Sequence, residues 1–317
     1  MNPLQVLYSF GLSFDRKLKK QKRLLHPVLS VGNISVGGRA KTPLVIDICK
    51  NLKERGYQPV VLTRGYARKI SLDYWLLPEA LEVLQRASAD KSGDEALEIF
   101  LKARVPVLVS SNRALQAKKY AHRFANPKII FVLDDGFQHW SIKRDFDLVV
   151  VSDADFKDGL LPTGRLREST EALKRADCVL HLDKDLKKNV SILKHEHIEK
   201  DKVTALTTRA GSQKAYLDSL TKVLGFEVPL LKLKDHLASD ALLAELYALD
   251  GSVKQLLVGV KEAVKIFGPQ QVLESATQAP IALHLKQRSF DVFIVELSLD
   301  YDREAFFKLL QQKGLLK

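Results

Sequence analysis

Residues 28–52 read VLSVGNISVGGRAKTPLVIDICKNL, and this stretch decides the fold. The apolar run that opens it predicts a buried strand, and a loop with glycines follows. Lys41 and Thr42 then begin a predicted helix that continues to about Arg55. A strand, a glycine-bearing loop and a helix that starts with Lys-Thr are typical of a nucleotide site, where Lys contacts the β- and γ-phosphates and Thr binds Mg²⁺.

The loop departs from the usual phosphate-loop pattern, G-x-x-x-x-G-K-[ST]. Ser35 and Ala40 occupy the two glycine positions, while glycines stand at Gly32, Gly37 and Gly38. The alternative for this segment alone is an ordinary strand-loop-helix connection with a solvated Lys.

Strand and helix patterns alternate along the first half of the chain, and several strand candidates are continuous β-branched runs, as in a parallel sheet buried on both faces. We therefore predict an α/β fold of the P-loop NTPase type, with a doubly wound, mainly parallel sheet. The predicted strands are 27–32, 58–63, 105–110, 128–134, 146–152 and 177–182, and the predicted helices are 42–55, 93–103 and 112–125.

A second, smaller α/β domain is predicted after a highly charged stretch. Its strand candidates are 203–207, 228–232, 255–259 and 291–297, with helices at 212–224, 239–247 and 302–312. We divide the chain into a membrane-surface segment, a nucleotide-binding domain, a linker and the smaller domain, with bounds 1–23, 24–185, 186–202 and 203–317.

Composition limits the partners. The formal net charge of +12 favours an anionic partner, such as nucleic acid, anionic lipid or a phosphorylated substrate. Two cysteines, Cys49 and Cys178, are too few for a disulfide framework or a zinc site, which indicates a reducing compartment. No apolar run reaches the length of a membrane span, and the N-terminus lacks the order of a signal peptide.

The first 23 residues combine an apolar patch with a basic cluster. Leu4, Leu7, Tyr8 and Phe10 recur at roughly helical spacing, and RKLKKQKR follows at 16–23. This composition is typical of a helix that lies on an anionic membrane surface. A solvated basic helix is the alternative, and a nucleic-acid patch is disfavoured because aromatic residues do not interleave with the charges.

A second motif, LDDGFQH, ends an apolar strand at 133–139. Adjacent carboxylates at 134 and 135 point to opposite sides of an extended chain, so Asp134 can face a metal while Asp135 faces an acceptor. His139 lies four residues after Asp135, and the two can pair if the chain turns helically there. A carboxylate paired with His can act as a general base toward a hydroxyl. A polar turn with a satisfied His is the alternative.

Other candidates lie at strand ends or in loops, and each one alone is more often a surface charge or a helix cap. Asp94 and Glu95 begin a predicted helix, and Arg113 lies early in the next one. A loop at 161–168 carries two arginines and a carboxylate, and Asp235-His236 lies in the second domain.

In this order and spacing, VGNISVGG-x-x-KTP, TRGY, SGDE, LDDGFQH, Arg144-Asp145 and LP-x-G-x-LRE resemble the tetraacyldisaccharide 4′-kinase family, the lipid A 4′-kinases of Gram-negative bacteria. The resemblance implies transfer of the ATP γ-phosphate to the 4′-hydroxyl of a tetraacylated glucosamine disaccharide 1-phosphate, giving lipid IVA in lipid A biosynthesis. It also implies Mg²⁺ and a peripheral enzyme on the cytoplasmic face of the bacterial inner membrane.

The resemblance assigns residues position by position. Asp135 is the expected base with His139 as its partner, and Lys41 completes the expected catalytic set. The family usually has Gly where Ala40 stands, and Ala is strained there only if the backbone needs a positive φ. The expected ATP loop is Val36, Gly37, Gly38, Arg39, Ala40, Lys41, Thr42 and Pro43; the expected metal ligands are Thr42, Asp134 and Glu168; the supporting residues are Asp94, Glu95, Arg113, Gln138, Arg167 and His236.

The sequence thus favours an ATP- and Mg²⁺-dependent kinase with an acylated glucosamine disaccharide phosphate as acceptor and an anionic membrane surface as partner. We expect neither a nucleic-acid partner nor an obligate protein partner. The alternative is a P-loop NTPase switch or scaffold that hydrolyses nucleotide without a sugar acceptor. A basic nucleic-acid-binding module is the third possibility.

Overall fold

The structure, a computed structural model, describes residues 3–37, 40–66, 68–79, 88–182, 184–207, 213–234, 237, 239–274 and 280–316. The helices are α1 (Pro3–Leu18), α2 (Lys41–Glu54), α3 (Ala89–Ser92), α4 (Asp94–Ala103), α5 (Arg113–Arg123), α6 (Gln213–Leu224), α7 (Ser239–Tyr247), α8 (Val260–Glu274) and α9 (Arg303–Gln312). The strands are β1 (Val28–Asn33), β2 (Gln58–Thr63), β3 (Tyr74–Leu76), β4 (Val107–Val109), β5 (Ile129–Asp134), β6 (Phe146–Val151), β7 (Cys178–His181), β8 (Lys187–Ile192), β9 (Val203–Thr207), β10 (Leu230–Lys232), β11 (Gln255–Gly259), β12 (Ile281–Leu285) and β13 (Arg288–Asp300).

The first sheet has the strand order β3-β4-β2-β5-β1-β6-β7, and every pairing in it is parallel except that of β3 with β4. Its central strands are buried along their whole length, as their continuous apolar runs predict. Helices α2 and α4 pack on one face with one apolar cluster, and α5 packs on the other face with a second cluster. The predicted doubly wound α/β fold is confirmed.

Strand register brings the two sequence motifs to one edge of this sheet. Val31 of β1 is the register partner of Asp134 of β5, so the loops that follow both strands start side by side. Gly32 allows a close approach of these loops, because a Cβ there would lie 2.6 Å from the Cβ of Phe137. Ligands in open α/β sheets bind at such carboxyl ends, so this edge is where a site is expected.

The second sheet has the order β10-β9-β11-β13-β12, and β8 also pairs with β13. The prediction of a linker at 186–202 is therefore wrong in its first part, since β8 runs antiparallel to β13. Only Val190 and Ile192 of β8 turn inward and its other four residues are exposed, so the alternation expected of a strand rests on two apolar residues. The division of the chain into domains otherwise stays a prediction.

One apolar cluster runs through both sheets. It joins Leu44 of α2 and Phe100 of α4 to Leu256 of β11 and Phe306 of α9. Beside it, Arg303 donates to both carboxylate oxygens of Asp47 at 2.9–3.2 Å. The second half of the chain is thereby attached to the helix that begins at the phosphate loop.

Candidate active site

The N-terminus of α2 lies where the sequence predicts a phosphate cradle. Its N-cap residue, Ala40, makes no side-chain cap, and no acidic residue lies in the first turn. The first-turn N–H groups of a helix attract anions when no side chain caps them. Thr42 is buried and belongs to this turn, and Pro43 is tolerated there since a helix needs no N–H bond at that point. Gly38 and Arg39 lie outside the described residues.

Ala40 has the left-handed backbone that the sequence leaves open, with φ 54° and ψ 22°. An L-residue is strained in that region by the approach of its Cβ to the backbone, so the Gly of the standard pattern would be favoured. Gly37 also has a positive φ of 106°. Left-handed backbone thus occurs on both sides of the loop residues 38 and 39, once at a glycine and once at an alanine.

Lys41 points back from α2 across the end of β1. Its Nζ donates to the side-chain oxygen of Asn33 at 2.9 Å and lies 3.2 Å from Oδ1 of Asp135. The lysine side chain is only 13% exposed, so these contacts hold it in one direction. The phosphate-loop lysine and the predicted base therefore belong to one site.

Asp135 also has a left-handed backbone, with φ 49°. This turn directs its carboxylate to Lys41 on one side and to Nη1 of Arg167 at 2.8 Å on the other. Burial alone would raise the pKa of Asp135, but Lys41 and Arg167 outweigh it and lower the pKa to about 2. The carboxylate is thus ionised at neutral pH.

The predicted pairing of Asp135 with His139 is wrong. In the described part of the chain, Nδ1 of His139 meets Nη2 of Arg113 at 2.8 Å, and its Nε2 meets Oγ of Ser141 at 2.8 Å. The left-handed residue at 135 starts a turn instead of a helix, in which the N–H of His139 donates to the carbonyl of Gly136. The four-residue spacing therefore does not bring the two side chains together.

His139 orients Arg113. Burial, followed by the charges of Arg113 and Arg144, lowers the pKa of His139 to about 3, so its Nδ1 accepts from the guanidinium and its Nε2–H donates to Ser141. Arg113 also donates to the carbonyl of Asp134 at 2.9 Å. Burial lowers the pKa of Arg113 to about 10, which leaves the guanidinium charged beside the sheet edge.

Asp134 is buried at the end of β5, where its Oδ2 accepts from Oγ1 of Thr63 at 3.0 Å. Burial, with the negative charges of Glu95 and Asp135, raises its pKa to about 6. A buried carboxylate in such surroundings fits a cation. Within the described residues no three acidic, His or Cys side chains form a closed metal cage, and Mg²⁺ does not need one, because it keeps waters and shares its ligands with phosphates.

Glu168 is held by contacts with an arginine and a glutamine. Its carboxylate pairs with Nη1 of Arg175 at 3.0 Å and accepts from Nε2 of Gln138 at 3.0 Å. Gln138 donates in addition to the carbonyl of Asn33. Gln138 thus links Glu168 to the end of β1, and the role of Glu168 as a metal ligand stays a prediction.

Asp94 and Glu95 stand at the first turn of α4, and the second half of the chain contacts both. Nζ of Lys265 lies 3.3 Å from Asp94, and Nζ of Lys261 lies 3.0 Å from Glu95. His236 lies outside the described residues.

Helix α1 covers one side of this edge. Gln5 donates to Thr163 at 2.7 Å, and the guanidinium of Arg16 lies 4.7 Å from the Trp140 ring centre. The opposite face of α1 exposes a stripe of large apolar side chains. No helix in the described part of the chain is both long and apolar enough to cross a bilayer. The exposed stripe consists of Leu4, Val6, Leu7, Phe10, Phe14 and Leu18.

Sequence reasoning missed several contributors. Asn33 was available as a polar residue at the end of an apolar strand inside the first motif. For Lys261 and Lys265 the sequence offers only a four-residue spacing, which places both side chains on one side of a helix. Their partners are about 170 positions earlier in the chain, so only the folded structure connects them.

The fold and the site define a phosphate-loop nucleotide-binding protein of the α/β class. The family described as tetraacyldisaccharide-1-P 4′-kinase (LpxK) matches residues 1–298, so the chain belongs to that family.

Curated relatives named tetraacyldisaccharide 4′-kinase include proteins from two bacteria. The chain is 40% identical over 195 residues to the protein of Koribacter versatilis, which covers 58% of each chain. It is 41% identical over 158 residues to the protein of Idiomarina loihiensis, covering 49% of this chain and 45% of the relative. The chain thus spans about half the length of the curated relatives it matches.

A solved structure shares the fold over nearly the whole chain. The crystal structure of LpxK from Aquifex aeolicus, determined in complex with ATP, has a TM-score of 0.72 and 24% identity. The match covers 98% of this chain and 97% of that one.

We expect Ala40→Gly to raise the free energy of unfolding by up to about 1 kcal/mol, because Gly relieves the left-handed backbone at this position. Ala244→Gly on the exposed face of α7 is the matched control, and it should lower the same quantity by about 1 kcal/mol. Urea unfolding gives the free energy of unfolding of both variants and of the wild type. A loss of stability in Ala40→Gly equal to that of the control would contradict the strain at this loop.

We expect the wild type to lose stability on acidification more steeply than His139→Gln. The unfolded His takes up a proton near pH 6.5 whereas the folded one resists until about pH 3, so stability falls as the pH drops below 6.5. By pH 5.5 the extra loss should be about 1 kcal/mol. Urea unfolding at pH 7.5 and 5.5 gives this difference, and equal losses in the two proteins would mean that His139 is not held neutral.

Proposed function

We propose that this protein transfers the γ-phosphoryl group of ATP to the 4′-hydroxyl of a tetraacylated glucosamine disaccharide 1-phosphate. The observation that carries the proposal is the 3.2 Å approach of Lys41 to Asp135 at the start of α2, in a chain that belongs to this kinase family. A cation for the phosphates and a carboxylate for the acceptor then share one site.

The ATP phosphates lie at the first turn of α2 in this proposal. The uncapped amides of that turn and the ammonium of Lys41 face the β- and γ-phosphates. The crystal structure with the same fold was determined with ATP, which supports ATP as the nucleotide. A Mg²⁺ that arrives with ATP would be held by Thr42 and Asp134 and would neutralise charge on the phosphates.

Asp135 is the proposed general base. With a pKa of about 2 it is ionised but a poor proton acceptor, since Lys41 and Arg167 both stabilise its charge. A nucleotide phosphate that takes over the ammonium of Lys41 would weaken one of these contacts and raise the pKa of the carboxyl. The carboxylate then accepts the proton of the acceptor hydroxyl as the oxygen attacks the γ-phosphorus in line.

Two arginines offset the charge that develops on the transferred group. Arg167 lies against Asp135, and Arg113 is fixed by neutral His139 at the end of β5. Both are held by side-chain contacts before any ligand binds, so little reorganisation is needed during the reaction.

The acceptor is an amphiphile, and α1 suits a membrane surface on which such a molecule resides. One face of α1 contacts the site through Gln5 and Arg16, while the other face exposes the apolar stripe. Basic residues follow at 19–23 and would meet anionic head groups. We propose that the protein works peripherally on the cytoplasmic face of the bacterial inner membrane.

Asp135→Asn should lower kcat by ~10²–10⁴-fold while ATP binding is retained, because the substitution removes the proton acceptor and keeps the shape. The assay follows ATP consumption with the tetraacyl disaccharide 1-phosphate and identifies the 4′-phosphorylated product by mass spectrometry.

The matched control is Asp201→Asn on the exposed surface of the second half, which should keep the wild-type kcat. Unchanged kcat in Asp135→Asn would remove the proposed base. ATP hydrolysis at the same rate with and without the disaccharide, and no phosphorylated product, would favour a nucleotide switch instead.

The double substitution Leu7→Glu/Phe10→Glu should weaken association with anionic vesicles by at least about tenfold, since each buried apolar side chain contributes about 1.5–3 kcal/mol. Turnover on detergent-dispersed acceptor should stay near the wild-type value. Leu193→Glu, an exposed leucine at the end of β8, is the matched control in vesicle cosedimentation. Equal vesicle binding by all three proteins would exclude α1 as the membrane contact.

A further inference from the structure

Two lysines of α8 reach the edge of the active site from the second half of the chain. Lys261 and Lys265 are four residues apart and share one side of the helix. Their ammonium groups meet neighbouring carboxylates at the first turn of α4, with Lys261 3.0 Å from Glu95 and Lys265 3.3 Å from Asp94.

The Lys265–Asp94 pair is shielded from water, with side chains 6% and 4% exposed. The Lys261–Glu95 pair is less buried, with side chains 17% and 36% exposed. Burial alone would lower the pKa of Lys261, but Glu95, Glu98 and Asp94 raise it, so the lysine stays charged. A buried charge is stable only with a partner, so each lysine fixes the position of its carboxylate.

Glu95 connects these pairs to the catalytic edge. Among the neighbouring charges it has the largest effect on Asp134, which precedes Asp135, the partner of Lys41. Three neighbouring carboxylates, those of Asp135, Asp134 and Glu95, therefore lie between a cation of the phosphate loop and a cation of α8. The second half of the chain supplies the last cation of this series.

We propose that Lys261 and Lys265 are positioning residues for phosphoryl transfer, acting through Glu95 and Asp94 without touching nucleotide or acceptor. The inference rests on the function proposed above. Without the ammonium of Lys261, Glu95 would leave its place or add uncompensated negative charge beside Asp134. Either change disturbs the place where the nucleotide phosphates and their cation are expected to bind.

A third buried lysine forms its ion pair within α4 itself. Lys102 lies 3.8 Å from Glu98, with side chains 9% and 2% exposed. Lys102→Met is therefore a control for the loss of a buried lysine charge that does not come from the second half of the chain.

The experiment compares Lys261→Met, Glu95→Gln and the double variant in the full-length protein. We expect each single substitution to lower kcat about tenfold while KM for ATP changes less than about twofold, and the double variant to fall no further. Lys261→Arg should restore part of kcat, and Lys265→Met should behave like Lys261→Met. The double variant neutralises both partners and leaves no unpaired buried charge. It therefore shows whether a lower kcat in the single variants results only from impaired folding.

Lys102→Met should keep kcat while losing thermal stability to a similar extent as Lys261→Met. A wild-type kcat in Lys261→Met, or a double variant whose loss is the product of the two single losses, would overturn the inference. Product formation by the wild type is measured first by mass spectrometry. No product overturns the proposed function and this inference with it, whereas product with unaffected lysine variants overturns the inference alone.

Discussion

The ion pair between Lys41 and Asp135 is the contact on which the rest of the site depends. It joins the loops after two neighbouring strands, whose register already aligns Val31 with Asp134. The pair forms only because Asp135 adopts a left-handed backbone that turns its carboxylate toward α2. The same turn carries the following residues away from Asp135, which frees His139 to meet Arg113. The backbone conformation of Asp135 thus determines which residues its own side chain and that of His139 contact.

Burial and neighbouring charges give the ionisable side chains of the site different pKa values. Asp135 is stabilised as an anion by two cations, whereas Asp134 is buried beside other negative charges and holds its proton more tightly. His139 is kept neutral and fixes a guanidinium, although its sequence context suggests a partner for the base. Carboxylates that adjoin in sequence therefore have opposite properties, as expected when solvation and nearby charge differ between them.

Much of this arrangement could be read from the sequence because the first sheet consists of continuous apolar runs with motifs at their ends. Strands β2, β9 and β11 begin and end where the patterns predict. The rest depends on tertiary context. A helical spacing suggested a contact that a left-handed turn abolishes, and β8 has too few apolar residues to indicate its pairing with β13. No local pattern indicates which lysines of α8 contact α4. The two helices are far apart in the sequence, and only the tertiary fold brings them together.

The apolar cluster that runs through both sheets limits how the two halves can move. Separating them as rigid bodies would expose side chains such as Leu44 and Phe306 to water, at about 25 cal/mol for each Å² uncovered. Large opening about a hinge is therefore disfavoured, and small sliding of packed helices costs less. Any adjustment to substrate would then occur at the rim, where polar contacts such as those of α8 with α4 can exchange partners while the interior stays dry.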